Sequence, residues 1–365
     1  MTLIVTYNTI NIVLTTDESD FHSRQICLNI LSYTMEEEKV QKAFQKLLVL
    51  LAVVAIFVLA ACGTSKDDAK EESTKESNAY SVDHAMGTTE VKDTPKRVVV
   101  LTNEGTEALL ALGIKPVGAV QSWTGDPWYD HIKDQMEGVE VVGIEHEINI
   151  EKIASLKPDL IIGNKLRQEK DYAKLSKIAP TVFSDTLRGD WKENFKLYAK
   201  AVNQETKGEE VLKAYEDKLQ ALKEELGEQT NQEVSFVRFM ADKSRIYYTD
   251  SFSGVIFDAL GFKRVAAQAD LFKDNAKLGN LAIEVGKEAI PKMDGDVIFY
   301  FTYMPTGDDS ALATEQEWTQ DPLWKNLTAV QKGNAHKVDD VIWNTAGGIL
   351  AANIMLDQVK EIFVK

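Results

Sequence analysis

Cysteine is almost missing from this chain: Cys27 and Cys62 are the only two in 365 residues. One lies ahead of an apolar run and the other at its end, so neither reads as structural. The body that follows is expected to hold no disulfide and no thiolate metal site. Histidine is nearly as scarce, with five in all. His84, His131, His146 and His336 follow Cys62 without ligand spacing, which argues against a receptor for free zinc or manganese. Positive charge is outnumbered. A formal net charge of −16 argues against nucleic-acid binding, which needs a basic surface. Catalytic signatures are absent too: there is no Gly-x-Ser-x-Gly, no zinc-protease motif and no Walker loop, so no enzyme is expected. Ser253-Gly254 reads as a helix cap, and the Asp126/Asp130 pair as loop surface.

Long hydrophobic runs number one. Residues 47–61 are apolar without a charge, and Lys39, Lys42 and Lys46 precede them. At about 1.5 Å per residue the run is roughly 22 Å long as a helix, short of the ~30 Å hydrocarbon core. It fits a secretory signal rather than a spanning helix. Its end, Leu59-Ala60-Ala61-Cys62-Gly63, resembles the bacterial lipobox. That resemblance implies cleavage before Cys62 and a lipid on its sulfur, anchoring the protein to the extracellular face of a bacterial membrane of Gram-positive type. Residues 1–61 are then the leader, with 1–34 read as an extension ahead of initiation at Met35 or Val40. Residues 62–94 are expected to be a flexible tether, because 64–76 are rich in Ser, Thr, Lys, Asp and Glu with no apolar period.

The body repeats itself. Residues 107–119 contain Ala111-Leu112-Gly113-Ile114-Lys115, and residues 255–267 contain Ala259-Leu260-Gly261-Phe262-Lys263. A second shared phrase follows each. It joins Glu151 to Asp159 in the first copy and Glu288 to Asp296 in the second, with the same spacing. β-branched runs at 98–101, 117–120, 139–142, 159–162 and 181–183 alternate with helical segments such as 150–156 and 172–178. This pattern predicts a mostly parallel sheet covered by helices. Residues 204–228 read as a long amphipathic helix with a solvated charged face, broken from the preceding segment near Asn203. The second half offers strands at 234–239, 247–248, 265–266, 297–301 and 337–338, and a terminal helix over 349–363. The fold class expected is α/β: two Rossmann-like lobes, 95–203 and 229–365, with central mostly parallel sheets joined by one long helix. Paired lobes leave a cleft, the usual place for a ligand.

A lipobox, Lys96-Arg97-Val98-Val99-Val100, Ala-Leu-Gly-Ile-Lys-Pro-Val-Gly at 111–118, Glu151-Lys152-Ile153 with Leu156-Lys157-Pro158-Asp159-Leu160-Ile161-Ile162, and a lobe-joining helix together resemble the iron-siderophore solute-binding lipoproteins of bacterial ABC importers. The resemblance covers about residues 94–365. The stretch 164–170 looks like the branch that takes hydroxamate or citrate-based siderophores. It implies a helical-backbone binding-protein fold, limited closure, and delivery of a ferric siderophore to an ABC permease dimer. It also implies a monomer, and iron held by the siderophore with no cofactor of the protein's own. Exposed acids on each lobe, matched here by Glu151 and Glu288, would dock the permease, with Glu284 a competitor for the second position. Alternatives left open are a haem or cobalamin receptor of the same fold, an extracellular hydrolase and a purely structural surface protein.

Six arginines follow Cys62. Arg97 and Arg264 precede repeat strands and read as structural or surface residues. Arg167 and Arg188 follow strands, Arg238 ends one, and Arg245 falls in the loop after it. In open α/β sheets ligands sit beyond the strands' carboxyl ends. There the guanidinium fork suits a carboxylate- or hydroxamate-bearing ferric anion. Trp123, Tyr303 and Trp343 lie beyond strand ends as candidate aromatic walls.

Overall fold

Val98, Val99 and Val100 are fully buried because helices cover both faces of their sheet. Val98 and Val100 join one apolar cluster, whereas Val99 and Leu101 join another, the period-two division of a strand buried on both sides. The protein is described by a computed structural model over residues 79–364, apart from 274 and 276, with a short antiparallel pairing of Val5–Thr6 and Thr9–Ile10. The rest of the leader, Cys62 and most of the expected tether lie outside the described residues.

The first lobe begins earlier than expected. Strands β1 (Tyr80–His84) and β2 (Gly87–Val91) form a hairpin where the tether was expected to continue to residue 94. Val82 and Val91 are buried in the main apolar cluster, Tyr80 Oη donates to Ala201 O at 2.9 Å, and Ala85 N donates to Phe183 O at 3.0 Å. The hairpin is thus part of the packed lobe. Its sheet contains β3 (Val98–Val100), β4 (Gly118–Ala119), β5 (Glu140–Val141), β6 (Leu160–Asn164) and β7 (Thr181–Ser184), all parallel in the order β7-β6-β3-β4-β5.

The second lobe repeats that scheme with one change. β8 (Glu233–Phe239), β10 (Lys263–Arg264), β12 (Val297–Thr302) and β13 (Ala335–Lys337) run parallel. β9 (Ser244–Tyr247) and β11 (Ala282–Val285) are antiparallel additions, giving the order β11-β9-β8-β12-β13 with β10 also on β8. A tight turn, with Met240 N donating to Lys243 O at 2.9 Å, folds β9 back on β8. Arg245 is therefore on a strand, opposite Arg238, and not in a loop.

The repeat has physical content. Helix α1 (Asn103–Ala111) is capped by Thr102, whose Oγ1 accepts from Gly105 N at 3.0 Å. Its counterpart here called α5 (Phe252–Leu260) is capped by Ser251, whose Oγ accepts from Gly254 N at 3.0 Å. Each cap satisfies one of the free N–H groups of a helix start. Each helix gives way to a left-handed glycine, Gly113 at φ 78° and Gly261 at φ 97°. The repeated aspartates clamp strand starts. Asp159 Oδ1 accepts from Arg97 N, and Asp296 Oδ2 accepts from Glu233 N, both at 2.9 Å.

Between the lobes run α3 (Trp191–Ala201) and α4 (Glu205–Leu226), separated at Asn203, φ 57°. α2 (Ile150–Ser155) flanks the first sheet, and α6 (Ile349–Phe363) ends the fold. Residues of α3, α4, α5 and α6 share one apolar cluster with both sheets. Where α3 meets α4, a Cβ on Gly208 would lie 2.6 Å from the Cβ of Ala199. Neither atom has a torsion by which to move away. Gly208→Ala is expected to lower the urea midpoint of unfolding: roughly 1–3 kcal/mol of overpacking exceeds the ~1 kcal/mol that alanine gains as a helix former. An unchanged or raised midpoint would show the two helices to be more loosely packed.

Candidate functional site

Six of the seven side chains expected at the ligand site line one cavity of about 870 Å³, open to solvent: Arg167, Arg188, Arg238, Arg245, Trp123 and Tyr303. The seventh does not. Trp343 is fully buried, its ring 4.5 Å from that of Phe299, and its Nε1 donates to Gln358 Oε1 at 2.5 Å. The π-turn Val341–Thr345 directs this tryptophan into the core and presents Asn344, Thr345, Ala346 and Gly347 to the cavity in its place.

The first lobe supplies Arg167 from the turn Lys165–Gln168, directly after β6. Gln168 fixes that turn: its Oε1 accepts from Asn164 N at 2.9 Å and its Nε2 donates to Leu101 O at 3.0 Å. Arg167 Nε donates to Glu145 Oε2 at 3.2 Å, and its Cζ lies 5.8 Å from the ring of Trp123. Arg188 comes from the short turn after β7, at φ 74°, a left-handed conformation that non-glycine residues hold at an expense of roughly 1–2 kcal/mol. Its backbone N–H donates to Glu104 Oε2 at 3.2 Å.

From the second lobe, Arg238 comes from the penultimate position of β8, on the same face as Val234 and Phe236. Asp340 grips it with both oxygens, Nε to Oδ1 at 2.6 Å and Nη2 to Oδ2 at 2.8 Å. Thr345 Oγ1 accepts from Nη2 at 2.8 Å, and Tyr303 places its ring 4.4 Å from Cζ. Burial opposes the Arg238 charge, but Asp340 and Tyr247 together outweigh burial and raise its pKa above the ordinary arginine value. Arg245 Nη2 donates to Glu284 Oε1 at 2.7 Å. Glu284, the competing docking position, is thereby engaged, with Lys243 and Lys277 also near it.

Arg188 differs from the other three. Among the described residues its guanidinium meets no carboxylate. Burial, then the neighbouring Arg167, push its pKa below the usual arginine value. The cavity is thus lined by four guanidinium groups, three of which have a partner carboxylate: Glu145, itself in the lining, and Asp340 and Glu284, which are not.

Sequence reasoning missed Glu145, Asp340, Glu104 and Tyr247, and weighed Glu284 only for docking. Nothing marks these acids as partners of the cavity's arginines among 57 acidic residues. Their positions depend on which loops the two lobes bring together. Arg264 is structural as expected: it is stacked 4.4 Å from the Phe236 ring and donates to Tyr247 O at 2.7 Å. Arg97 lies at the surface and donates to Leu156 O at the end of α2. Glu151 and Glu288 are both exposed, in the first turns of α2 and of the 3₁₀ helix Lys287–Met293. Among the described residues no group of three or more His, Cys, Asp or Glu is placed to hold a metal ion.

The family described as periplasmic binding protein matches residues 98–340. The chain belongs to that family. This periplasmic binding protein is 55% identical over 314 residues, 86% of its own length and 96% of the relative's, to the "Probable siderophore-binding lipoprotein YfiY" of Bacillus subtilis strain 168. It is 31% identical over 330 residues, 88% of its own length and 98% of the relative's, to the Fe(3+)-citrate-binding protein YfmC of the same organism. Among solved structures, Staphylococcus aureus SirA complexed with staphyloferrin B superposes with a TM-score of 0.70 at 40% identity. That match covers 78% of this chain and 98% of that one.

Glu104 offers a test of the site's electrostatics. Burial pushes its pKa up to about 8 from an ordinary carboxylate value of 4.5. The folded protein then keeps a proton that the unfolded chain releases, so stability falls as pH rises from about 4.5 to about 8. Glu104→Gln removes that dependence. Thermal melts are expected to show the variant gaining on the wild type between about pH 5 and pH 8. A constant difference over that range would place the Glu104 pKa near its ordinary value.

Proposed function

We propose that this protein captures a ferric siderophore of the citrate-hydroxamate or hydroxamate class in the arginine-lined cleft and hands it to an ABC permease for iron import. The iron is held by the siderophore; the protein contributes no ligand and catalyses no reaction. A lipid on Cys62 keeps the protein, as a monomer, on the outer face of the cell membrane. Glu151 and Glu288 present matching carboxylates to the permease dimer.

The observation that carries this reading is the desolvated Arg188 guanidinium with no carboxylate partner in a cavity already holding three other arginines. A cation kept in that state favours an incoming anion, whose charge-assisted hydrogen bonds are strongest where water is displaced. The same feature favours the carboxylate-bearing, citrate-hydroxamate arm of the proposal over a neutral tris-hydroxamate complex. Trp123 and Tyr303 add ring faces for the chelate's carbon skeleton. The names of the relatives, a siderophore-binding lipoprotein and a ferric-citrate-binding protein, agree with this assignment.

Intrinsic fluorescence provides the test, because Trp123 lines the cavity. Ferric schizokinen and ferric aerobactin are expected to quench it, with neutral ferrichrome weaker. Arg188→Ala should weaken the best ligand by roughly tenfold to a hundredfold, the loss of one charge-assisted bond of about 1.5–3 kcal/mol. Arg188→Lys, which keeps the charge but not the fork, should fall between. A preference for ferrichrome, or an Arg188→Ala variant of full affinity, would overturn the anionic reading. For the docking role, Glu151→Ala combined with Glu288→Ala is expected to retain ligand affinity and abolish cellular uptake of radioactive iron. Normal uptake by that double variant would remove the role.

A further inference from the structure

One acid that lines the cavity pairs with no cation among the described residues. Glu145, Asp340 and Glu284 each pair with an arginine. Glu104 lines the same space and is 5% exposed, yet it meets only uncharged donors. Asn194 Nδ2 donates to Oε1 at 2.7 Å, and the Arg188 backbone N–H donates to Oε2 at 3.2 Å. The Arg188 guanidinium itself makes no bond to it. An ionised carboxylate next to an unpartnered, desolvated guanidinium would draw that group in, since such a pair is strongest at low dielectric. A guanidinium that forms no ion pair with Glu104 is the arrangement that a neutral acid leaves.

The surroundings agree. From α3 come Asn194 and the phenol of Tyr198, which is bonded to Ser184 Oγ at 2.6 Å. From α1 itself comes Glu107, held by His131 and by the N–H groups of Leu350 and Ala351. From the loop after β5 comes Glu145, already bound to Arg167. Burial is the largest influence on Glu104 and favours its protonated form; the hydrogen bonds from Asn194 and the Arg188 N–H oppose it, the carboxylates Glu145 and Glu107 add to it, and the balance is upward. A protonated carboxyl has a hydroxyl that must find an acceptor. Both protein partners of Glu104 are donors, so the acceptor has to come from the cavity.

We propose that Glu104 enters the ligand complex as the neutral acid and donates a hydrogen bond from its hydroxyl to an oxygen of the ferric anion, so that capture is linked to a proton. The proposal rests on the cleft being a ferric-anion site. No covalent step is involved: the proton stays on Glu104 throughout. Below the titration midpoint of Glu104 it is already in place. Above the midpoint, binding draws one from solvent. The arginines provide attraction for any anion, whereas Glu104 distinguishes a ligand that offers an acceptor oxygen at this point from one that offers an N–H.

Two measurements decide it. In the ligand-free wild type, the Glu104 carboxyl carbon is followed by NMR against pH, assigned by its disappearance in Glu104→Gln. A midpoint near about 8 is expected; one in the ordinary carboxylate range near about 4 overturns the proposal whatever any ligand does. Calorimetry with ferric schizokinen at about pH 8.5, in buffers of different ionisation enthalpy, then counts protons. The wild type is expected to take up about three-quarters of a proton more than Glu104→Gln. Its affinity relative to the variant should fall by up to about tenfold per pH unit above the midpoint. Equal proton counts overturn the ligand contact even if the midpoint is high. If ferric schizokinen binds neither protein, the ferric-anion reading and the ligand half of the proposal fall together, while the wild-type titration still decides the state of Glu104.

Discussion

Four guanidinium groups around one cavity repel one another, and containing that repulsion organises the site. Water screens like charges poorly where it is partly excluded. Three of the groups are neutralised by acids from separate segments: Glu145 follows β5, Glu284 sits on β11, and Asp340 precedes the π-turn. Each pairing requires a different part of the chain to be in place. The antiparallel β9 and β11, which the first lobe lacks, carry Arg245 and Glu284 into range. The asymmetry between otherwise repeated lobes is thus tied to the charge arrangement. Arg188, held at a left-handed φ by a turn whose N–H is bound to Glu104, remains without an anion.

Holding such a site open requires that the lobes not drift. The main apolar cluster is continuous from the first sheet through α3 and α4 into the second sheet and α6. A fully buried carboxylate reinforces it: Glu107 of α1 accepts from Leu350 N and Ala351 N, each at 2.9 Å, at the start of the terminal helix. That contact satisfies two of the four N–H groups which a helix start leaves free, and places negative charge at the positive end of its dipole. His131 closes the other side of Glu107. A cleft fixed in this way spends little binding energy on ordering itself, because the ordering was done on folding.

Much of this was legible in the sequence. The duplicated phrases marked two lobes because each encodes one local unit: capped helix, left-handed glycine, short strand, and an aspartate that clamps the next strand. The rule that ligands sit beyond strand ends brought Arg167, Arg188, Arg238, Trp123 and Tyr303 to one cavity, since all five lie at the end of a β-branched run. Arg245 reached the same place by a different route, a hairpin that the short Met240–Lys243 turn does not announce. Trp343 failed because a π-turn shifts side-chain direction by a fraction of a turn, and hydropathy does not report that. The tether extended too far because the strands Tyr80–His84 and Gly87–Val91 carry few apolar residues; Val82 and Val91 acquire their meaning only against the lobe they cover. The pairing of Glu145, Asp340 and Glu284 with arginines was invisible for a similar reason. A carboxylate is selected as a partner by tertiary geometry, and an acidic chain offers too many candidates.

An acidic protein with a cationic cavity is not a contradiction. At physiological ionic strength charges separated by more than about 8 Å across solvent are largely screened. The net charge of −16 therefore matters less to a ligand at the mouth than the balance within the cavity. That balance turns on two groups. Burial lowers the pKa of Arg188 and raises that of Glu104, so one desolvation acts on both in opposite senses. Were Glu104 ionised, its charge would cancel the one guanidinium that the other acids leave over. While Glu104 keeps its proton, the cavity keeps its excess. An incoming anion relieves the strain on Arg188 and, by adding negative charge nearby, makes it harder still for Glu104 to ionise. The unpaired base and the uncharged acid are therefore linked in the empty site, and the anion that pairs the base also holds the acid uncharged.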